Sequence, residues 1–272
     1  MVQMGQRSLT MTGQEQGGVW TESFKIHSYD VDFTKTATLE ALCRHFQEAA
    51  WNHAEQLGAG YQRLQQENRF WVLARLLVEV TRQPSWGESM TLQTWPRAVK
   101  SVFAKRDFEV LDTSGTRVVA GTSGWLVLDT KTRKPQRVDK LIAGIKTPGD
   151  KQALAREPQK LDCVGSGDNP RLMTVRYSDI DVNGHVNNAR YIGWLMDSYP
   201  LNFHRSNRLN LVEINFLGEA VAGETISVFS KEAATQGEYS HIIKRAEPGG
   251  EICCARIVWE PKAPKDLAFR RD

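Results

Sequence analysis

The sequence predicts an α+β protein made of two similar halves, each with one long helix followed by antiparallel strands. Three observations support this prediction. An Asp-x-Asp motif occurs twice, an apolar stripe with helical spacing follows each copy, and glycine turns separate later runs rich in Val, Ile, Thr and Trp. Four matching blocks in the same order are hard to obtain by chance, so we interpret the chain as a duplication.

The first repeated block is the Asp-x-Asp motif itself. Tyr29-Asp30-Val31-Asp32 recurs as Ser178-Asp179-Ile180-Asp181, 149 residues later. Apolar and polar side chains alternate over residues 173–177, just before the second copy, which is the pattern of a half-buried strand. Each copy is therefore predicted to lie between a strand and a helix.

The second block is the helix that follows each motif. The first apolar stripe covers residues 39–57, with Thr38 as its N-cap and a glycine as its stop. The second stripe covers residues 189–199 and stops at a proline, and either Asn187 or Asn188 serves as its cap. One amphipathic helix per half is the expected result.

The third and fourth blocks are turns between strands. Gly87-Glu88 matches Gly223-Glu224, and a hairpin turn at Gly115 matches one at Gly249-Gly250. The offsets between matched positions range from 134 to 149 and bracket 136, which is half of the 272 residues. Each half therefore reads as a helix followed by a meander of strands, an α+β unit.

These repeats divide the chain into four segments. We expect a disordered N-terminal tail over residues 1–20, a first unit over 21–139 and a second unit over 171–272. A polar stretch over residues 140–170 is predicted to be the linker, with a short helix near residues 152–156.

The composition excludes several classes of protein. The chain is 40% hydrophobic and 25% charged, as globular proteins are, which argues against disordered and fibrous classes. No run approaches the roughly 20 apolar residues of a membrane helix, and the N-terminus lacks a signal-peptide core, so a cytoplasmic protein is expected. The net charge of +3 comes from scattered residues, which argues against nucleic-acid binding but is compatible with an acidic protein partner.

The four cysteines show no CxxC spacing. A disulfide framework is not expected in a chain of this size, and zinc would need further ligands nearby. We therefore predict buried thiols, no metal site and no cofactor.

The two copies of the motif differ in their polar side chains. The second copy carries Asn183 and His185 where the first carries Thr34 and Thr36, which suggests one active and one structural copy. Both residues precede a predicted helix N-terminus, where free N–H groups can hold an oxyanion. The alternative is that they are ordinary turn and cap residues.

Residues 178–192 closely resemble the signature of the acyl-acyl-carrier-protein thioesterases. The first half is similar to that family as well, over short motifs in the right order: Trp71 with Ala74-Arg75, Pro84-x-Trp86-Gly87-Glu88, Thr94-Trp95, Arg106-Asp107-Phe108, Ser123-x-Trp125 and Thr132-Arg133-Lys134-Pro135. The resemblance implies a tandem (double) hotdog, in which two long helices are each wrapped by a curved antiparallel sheet. It also implies hydrolysis of the thioester between a fatty acyl chain and acyl carrier protein in lipid synthesis.

The resemblance also assigns catalytic residues in the second half. By position, the family's Asp, Asn, His and Glu fall on Asp181, Asn183, His185 and Glu219. A neighbouring cysteine, once assigned as nucleophile in plant members, corresponds to Ala220 here, so a Cys-His-Asn mechanism is not expected. In the first half the counterpart of Glu219 is a glutamine at position 83, which makes that half catalytically blank.

A division of roles follows from thioester chemistry, because hydrolysis needs an activated water and a stabilised oxyanion. We hypothesise that Glu219 and His185 activate the water. Asp181 either orients this network or attacks directly to form an acyl anhydride, and both alternatives stay open. The carbonyl oxygen is expected to be held by Asn183 and by backbone N–H groups of Val186, Asn187 and Asn188.

Substrate contacts are expected from both halves. Candidate pocket residues in the first half are Trp51, Phe70, Trp71, Trp95 and Trp125, of which Trp71 and Trp95 are the predicted substrate-binding residues; core packing is the alternative. Candidate basic residues for docking the acidic acyl carrier protein are Arg133, Lys134, Arg137, Arg176 and Arg190. His204 and His241 are expected to be surface or core histidines.

Two rival functions and one assembly stay open. The first rival is another hotdog enzyme acting on acyl thioesters, such as an acyl-coenzyme A thioesterase or an enoyl hydratase or dehydratase. The second is a non-catalytic acyl-thioester-binding protein, although the chain shows no added effector domain. A homodimer is compatible with either function.

Overall fold

The computed structural model describes residues 13–97, 103–139, 141–163, 170–247 and 249–263. Its strands are β1 (Gln14–Gln16), β2 (Val19–Lys25), β3 (Arg69–Val80), β4 (Ser89–Pro96), β5 (Ala104–Leu111), β6 (Arg117–Asp129), β7 (Pro135–Gln136), β8 (Arg171–Thr174), β9 (Asn207–Phe216), β10 (Thr225–Glu232), β11 (Glu238–Arg245) and β12 (Glu251–Pro261). Its helices are α1 (Leu39–Gln56), α2 (Tyr61–Gln66), α3 (Asn188–Met196) and α4 (Leu201–Ser206), with a 3₁₀ turn at Tyr177–Asp179.

The described strands form one large antiparallel sheet. Its order is β1-β2-β4-β5-β6-β3-β9-β12-β11-β10-β8, with β7 paired to β6. From the central β3–β9 pair outward, the order β3-β6-β5-β4-β2 is matched by β9-β12-β11-β10-β8. The predicted duplication is therefore confirmed as two equivalent half-sheets that meet where Leu76 pairs with Ile214.

Both predicted helices follow their motifs, and both predicted caps are present. The Thr38 hydroxyl accepts a hydrogen bond from the Ala41 N–H at the start of α1, and the Asn187 side chain accepts one from the Ala189 N–H at the start of α3. Each side chain thus satisfies an N–H group that the helix itself leaves unpaired. The 18 residues of α1 pack beside α3.

The second helix is shorter than predicted. It has nine residues and ends at Met196, and Pro200 then precedes the separate helix α4. Tyr199 extends the apolar stripe although it lies in the turn, because its ring packs among Phe203, Tyr239 and Trp259. The apolar pattern therefore indicates residues that are buried beyond the end of the helix, and not a longer helix.

One cluster of buried side chains joins the two halves. It includes Phe46 and Phe108 from the first half and Trp194, Ile214 and Trp259 from the second. The prediction that two cores pack as one body is confirmed by this shared cluster. Among the described residues, no helix combines the length and the apolar character needed to cross a membrane.

The prediction of a disordered N-terminal tail is wrong for residues 13–20. Residues Gln14–Gln16 form β1 on the edge of β2, and Trp20 is buried with its indole N–H donating to Glu22. A single buried tryptophan anchors this otherwise polar segment, which composition alone does not reveal. Residues 1–12 lie outside the described part of the chain.

The predicted linker packs on the sheet and contains no helix at residues 152–156. Ala153 and Leu154 are buried against the outer face of the first half-sheet. The Ala153 N–H donates to the buried Asp107 carboxylate, and the Leu161 N–H donates to the Asn215 side chain. Since sheet side chains satisfy these backbone groups, helical hydrogen bonds are not needed here.

The prediction of four free thiols is wrong for two of them. Cys163 and Cys254 form a disulfide that ties the linker to β12. Cys253 and Cys254 are adjacent on a strand and so point to opposite faces, which leaves Cys253 in the core. Cys43 and Cys253 are free and buried, and burial raises the pKa of both thiols far above the usual value. Neither is suited to act as a nucleophile.

Candidate active site

The second Asp-x-Asp motif forms a tight loop just before α3. Ile180 and Val186 pair across the loop, and the Asp181 N–H donates to the His185 carbonyl at 2.8 Å. Gly184 takes a φ of 79°, a left-handed conformation that glycine adopts without strain. The loop therefore holds Asn183 and His185 at the start of the helix, as the sequence predicts.

The first half contains the same loop with Thr34 and Thr36 in place of the Asn183 and His185 side chains. Val31 and Ala37 pair across it, and the Asp32 N–H donates to the Thr36 carbonyl. Lys35 occupies the left-handed position with a φ of 61°. The backbone scaffold is thus shared, and the two copies differ in the chemistry of the side chains that it carries.

His185 and Glu219 lie together, as the sequence predicts. The His185 Nε2 and Glu219 Oε2 atoms are 3.4 Å apart, and the two side chains are 32% and 30% exposed. Glu219 lies between β9 and β10, and the next residue, Ala220, accepts a hydrogen bond from the Val186 N–H. This backbone bond fixes the Glu219 segment against the loop that carries His185.

An arginine side chain from the first half reaches this pair. Arg133 lies in the turn between β6 and β7, and its guanidinium contacts the same Glu219 oxygen that faces His185. It also lies over the Phe70 ring, 4.8 Å from the ring centre. The sequence predicted Arg133 only as a carrier-docking residue; its membership of the Thr132–Pro135 motif is the signal that could have placed it at the site.

The backbone at Arg133 is strained. Its φ of 56° is a left-handed conformation that a residue with a Cβ adopts at a cost of about 1 kcal/mol or more. Glycine or asparagine would fit this turn with less strain.

The expected oxyanion donors are reduced from three backbone groups to one. The Val186 N–H donates to the Ala220 carbonyl, and the Asn187 N–H donates to the Asp179 carbonyl. Neither group is free, so their assignment as donors is wrong. The Asn188 N–H makes no hydrogen bond within the described part of the chain, and Asn188 lines the cavity described next.

A cavity of about 1050 Å³ extends from the loop into the first half. At the loop it is lined by Asp181, Asn183, Asn187 and Asn188, while neither His185 nor Glu219 is among its lining residues. Its aromatic wall consists of Trp51, Tyr61, Phe70, Trp71 and Trp125. The indole N–H of Trp71 donates to the Ala59 carbonyl, so its polar atom is satisfied and its ring can face an apolar ligand.

Trp95 was predicted to bind substrate, and this prediction is wrong. Its side chain is fully buried on the outer face of the sheet with Ala153 and Leu154, and its indole N–H donates to the Lys151 carbonyl. The alternation along β4 turns Leu92 and Thr94 towards α1 and Trp95 away from it.

The predicted basic footprint is only partly available for docking. Arg190 bridges Asp179 and Glu40, a structural role, so its assignment to docking is wrong. Arg133 contacts Glu219, and Arg137 pairs with Asp139 at the surface. The remaining candidates are Lys134 and Arg176, neither of which forms an ion pair within residues that the structure describes.

His204 and His241 are explained by packing. His241 is buried between the Tyr199 and Ser230 hydroxyls, and burial lowers its pKa to about 4. His204 is partly buried beside Trp259 and contacts the Met196 carbonyl. Both lie away from the loop, in agreement with the sequence prediction.

Comparison with known proteins identifies relatives that match nearly the whole chain. A cotton (Gossypium hirsutum) palmitoyl-acyl carrier protein thioesterase is 30% identical over 93% of this chain and 67% of the relative. An acyl-[acyl-carrier-protein] hydrolase of Cuphea viscosissima is 29% identical over 91% of this chain and 64% of the relative. The chain thus spans about two thirds of the length of these two chloroplastic proteins.

Solved structures of the same kind superpose on this one. An acyl-ACP thioesterase from Bacteroides thetaiotaomicron matches with a TM-score of 0.80 and 28% identity, over 89% of this chain and 98% of that one. The 12:0-ACP thioesterase of Umbellularia californica matches with a TM-score of 0.80 and 26% identity, over 92% and 100% of the two chains.

Two family models cover most of the chain. The acyl-ACP thioesterase N-terminal domain matches residues 17–145, and the acyl-ACP thioesterase C-terminal domain matches residues 167–261. With the shared fold and the loop geometry above, these matches settle the family: the chain belongs to the acyl-ACP thioesterases.

Proposed function

We propose that this chain hydrolyses the thioester of fatty acyl-acyl-carrier protein, giving a free fatty acid and the carrier thiol. The observation that carries the proposal is the His185–Glu219 pair, which lies at the loop that borders a cavity with an aromatic wall. The pair can activate water, and the cavity can hold an aliphatic chain. The assignment of the family supports the same reaction.

We further infer that the two halves are tandem hotdog units. The mirrored strand order about the β3–β9 pair and the placement of α1 beside α3 support this description. In it, the first unit supplies the acyl cavity and the second supplies the catalytic loop.

The proposed reaction begins with a water molecule at the His185–Glu219 pair. The pair takes a proton from the water while the water oxygen attacks the thioester carbonyl carbon. The resulting oxyanion is held by the Asn188 N–H and the Asn183 side chain. Collapse of the intermediate breaks the C–S bond, and the proton returns to the sulfur of the leaving thiol.

Asp181 has an orienting role in this scheme. One of its carboxylate oxygens accepts the Asn183 N–H at 2.8 Å, which fixes the loop that presents the Asn183 side chain. Direct attack by Asp181 would instead form an acyl anhydride. Single-turnover hydrolysis in ¹⁸O-labelled water separates the two: ¹⁸O incorporated into the Asp181 carboxylate would contradict the orienting role.

The substrate assignment is tested by comparing acyl-carrier protein with acyl-coenzyme A of the same chain length, across several lengths. We expect a higher kcat/KM for the carrier-bound chain and release of an equal amount of fatty acid and thiol. Binding without thiol release would support a non-catalytic protein. Hydration of an enoyl thioester without thiol release would support a hydratase.

Arg133 positions Glu219 in this proposal, and Arg133→Gly tests that role. We expect kcat to fall about ten- to a hundredfold with little change in KM, because one charged hydrogen bond to Glu219 is lost. The midpoint of thermal unfolding should not fall, because glycine removes the strain of the φ of 56°. Enzyme kinetics and a thermal melt measure the two effects.

Two further variants complete this test. Arg133→Lys keeps the charge and should recover part of the lost kcat. Arg137→Gly removes a nearby arginine that pairs with Asp139 and should leave kcat unchanged. A parallel loss of kcat and thermal stability in Arg133→Gly would show that Arg133 has only a structural role.

A further inference from the structure

The wall of the large cavity contains a buried guanidinium. Arg106 lies on β5, is only 9% exposed and lines the cavity. Its Nη1 atom donates to the Thr94 hydroxyl at 3.2 Å and lies 3.1 Å from the His53 Nδ1 atom. Among the described residues, Arg106 forms no ion pair, although burial lowers its pKa only to about 10 and it stays charged at neutral pH.

The two other guanidinium nitrogens are open. Nε and Nη2 make no hydrogen bond within the described part of the chain. Neither is among the described side-chain atoms that are both fully buried and unpaired, so they are reached from the cavity. Nε and Nη2 form the planar edge of arginine that binds both oxygens of a carboxylate.

His53 contacts the guanidinium from α1 and is not among the residues that line the cavity. It lies on α1, is completely buried, and faces Arg106 through Nδ1. Since a guanidinium only donates, Nδ1 is the acceptor and the proton is on Nε2. The Nε2 atom has no hydrogen-bond partner among the described residues. Burial and the neighbouring Arg106 lower the pKa of His53 to about 3, so the ring stays neutral.

The ligand that complements these residues must supply an anionic acceptor. The open edge of Arg106 presents unused donors, and a buried cation without a counter-ion is unfavourable. A plain hydrocarbon chain offers no hydrogen-bond acceptor to the guanidinium. A carboxylate would satisfy both the charge and the open edge of the guanidinium.

The position of these groups excludes the reacting carbonyl as that acceptor. His53 lies six residues beyond Gln47 on α1, and Gln47 lines the cavity together with Asn188. Six residues of helix span about 9 Å, so the guanidinium lies well inside the first half. The acceptor must therefore be a group distant from the thioester.

We propose that Arg106, held in place by His53 and Thr94, forms a subsite for a carboxylate borne on an aliphatic chain. Two sources can supply it: a free fatty acid that enters carboxylate-first, or an acyl chain with a carboxylate at its far end. The first source is the product of the proposed reaction and would make this subsite a point of product inhibition. Product inhibition at this subsite rests on the proposed function, whereas the binding of a carboxylate by Arg106 does not.

The test measures binding directly by calorimetry, without turnover. A saturated fatty acid should bind the wild-type protein at least about tenfold more tightly than the fatty alcohol of equal length. Arg106→Met should abolish that difference. Arg44→Met is the matched control, since it removes a cavity arginine whose charge is already paired with Glu40, and it should preserve the difference.

A second arm identifies the source of the carboxylate. The experiment compares two acyl-carrier protein substrates of equal chain length, one whose acyl chain ends in a carboxylate and one whose chain ends in a methyl group. Hydrolysis of each is measured with wild-type and Arg106→Met protein. A wild-type preference for the carboxylate-ended chain, lost in the variant, assigns the subsite to substrate; a difference confined to calorimetry assigns it to free acid. Equal binding of acid and alcohol together with no preference in hydrolysis, or a difference that survives in a folded Arg106→Met protein, overturns the proposal. A protein that binds acid over alcohol without hydrolysing any thioester would contradict the proposed function alone.

Discussion

Glu219→Gln is expected to lower kcat for acyl-carrier protein about 100- to 10,000-fold, with little change in KM. Glutamine keeps the size of the side chain and one acceptor oxygen but cannot take a proton from water. The contact at 3.4 Å with His185 is the geometric basis of this expectation. Steady-state kinetics of the purified variant provide the measurement.

The scaffold is expected to accept this substitution, because the chain already contains it. Gln83 occupies the equivalent position in the first half and donates to the Ala37 carbonyl. Glu251→Gln changes a surface glutamate next to Lys244 and serves as the control with full activity. A folded Glu219→Gln enzyme with activity near that of Glu251→Gln would contradict the assigned role.

His185→Thr is expected to cause a loss of similar size, about 100- to 10,000-fold in kcat. Threonine occurs at the equivalent Thr36, where the same loop forms with the same backbone hydrogen bond. The variant should therefore fold and melt like the wild type while it lacks the imidazole. Full activity in this variant would return His185 to the role of an ordinary turn residue.

The double variant tests whether the two residues act together. If His185 and Glu219 activate one water, removing either already disables the step, and the double variant should be about as slow as the slower single variant. Multiplied losses would indicate two independent contributions. Single-turnover rates measure this without interference from product release.

Much of the loop and its helix could be predicted from the sequence because local signals determine them. The Asn187 cap, the turn at Gly184 and the repeat of the Asp-x-Asp motif all lie within a few residues of one another. The partner of Arg133 could not be predicted in this way, since Glu219 is 86 residues away and the contact depends on how the halves meet. The contact between the two halves depends on the β3–β9 pairing, which has no local sequence signal.

The predictions for Trp95 and for the cysteines were wrong for a related reason. Alternation along β4 shows that two faces exist, but both faces are covered here, so alternation does not identify the face that borders the cavity. Cys163 and Cys254 lie 91 residues apart in sequence and meet because the segment between the halves packs on the sheet. That segment is polar, and its polarity predicted a linker.

The central claim is that the second half hydrolyses the acyl-carrier thioester with the His185–Glu219 pair. The most direct measurement is a single turnover of acyl-carrier protein by the wild type and by the Glu219→Gln/His185→Thr double variant, with fatty acid and carrier thiol both quantified. We predict one fatty acid and one thiol per thioester from the wild type and almost none from the folded double variant. Equal release by both proteins, or thiol release without fatty acid, would contradict the claim.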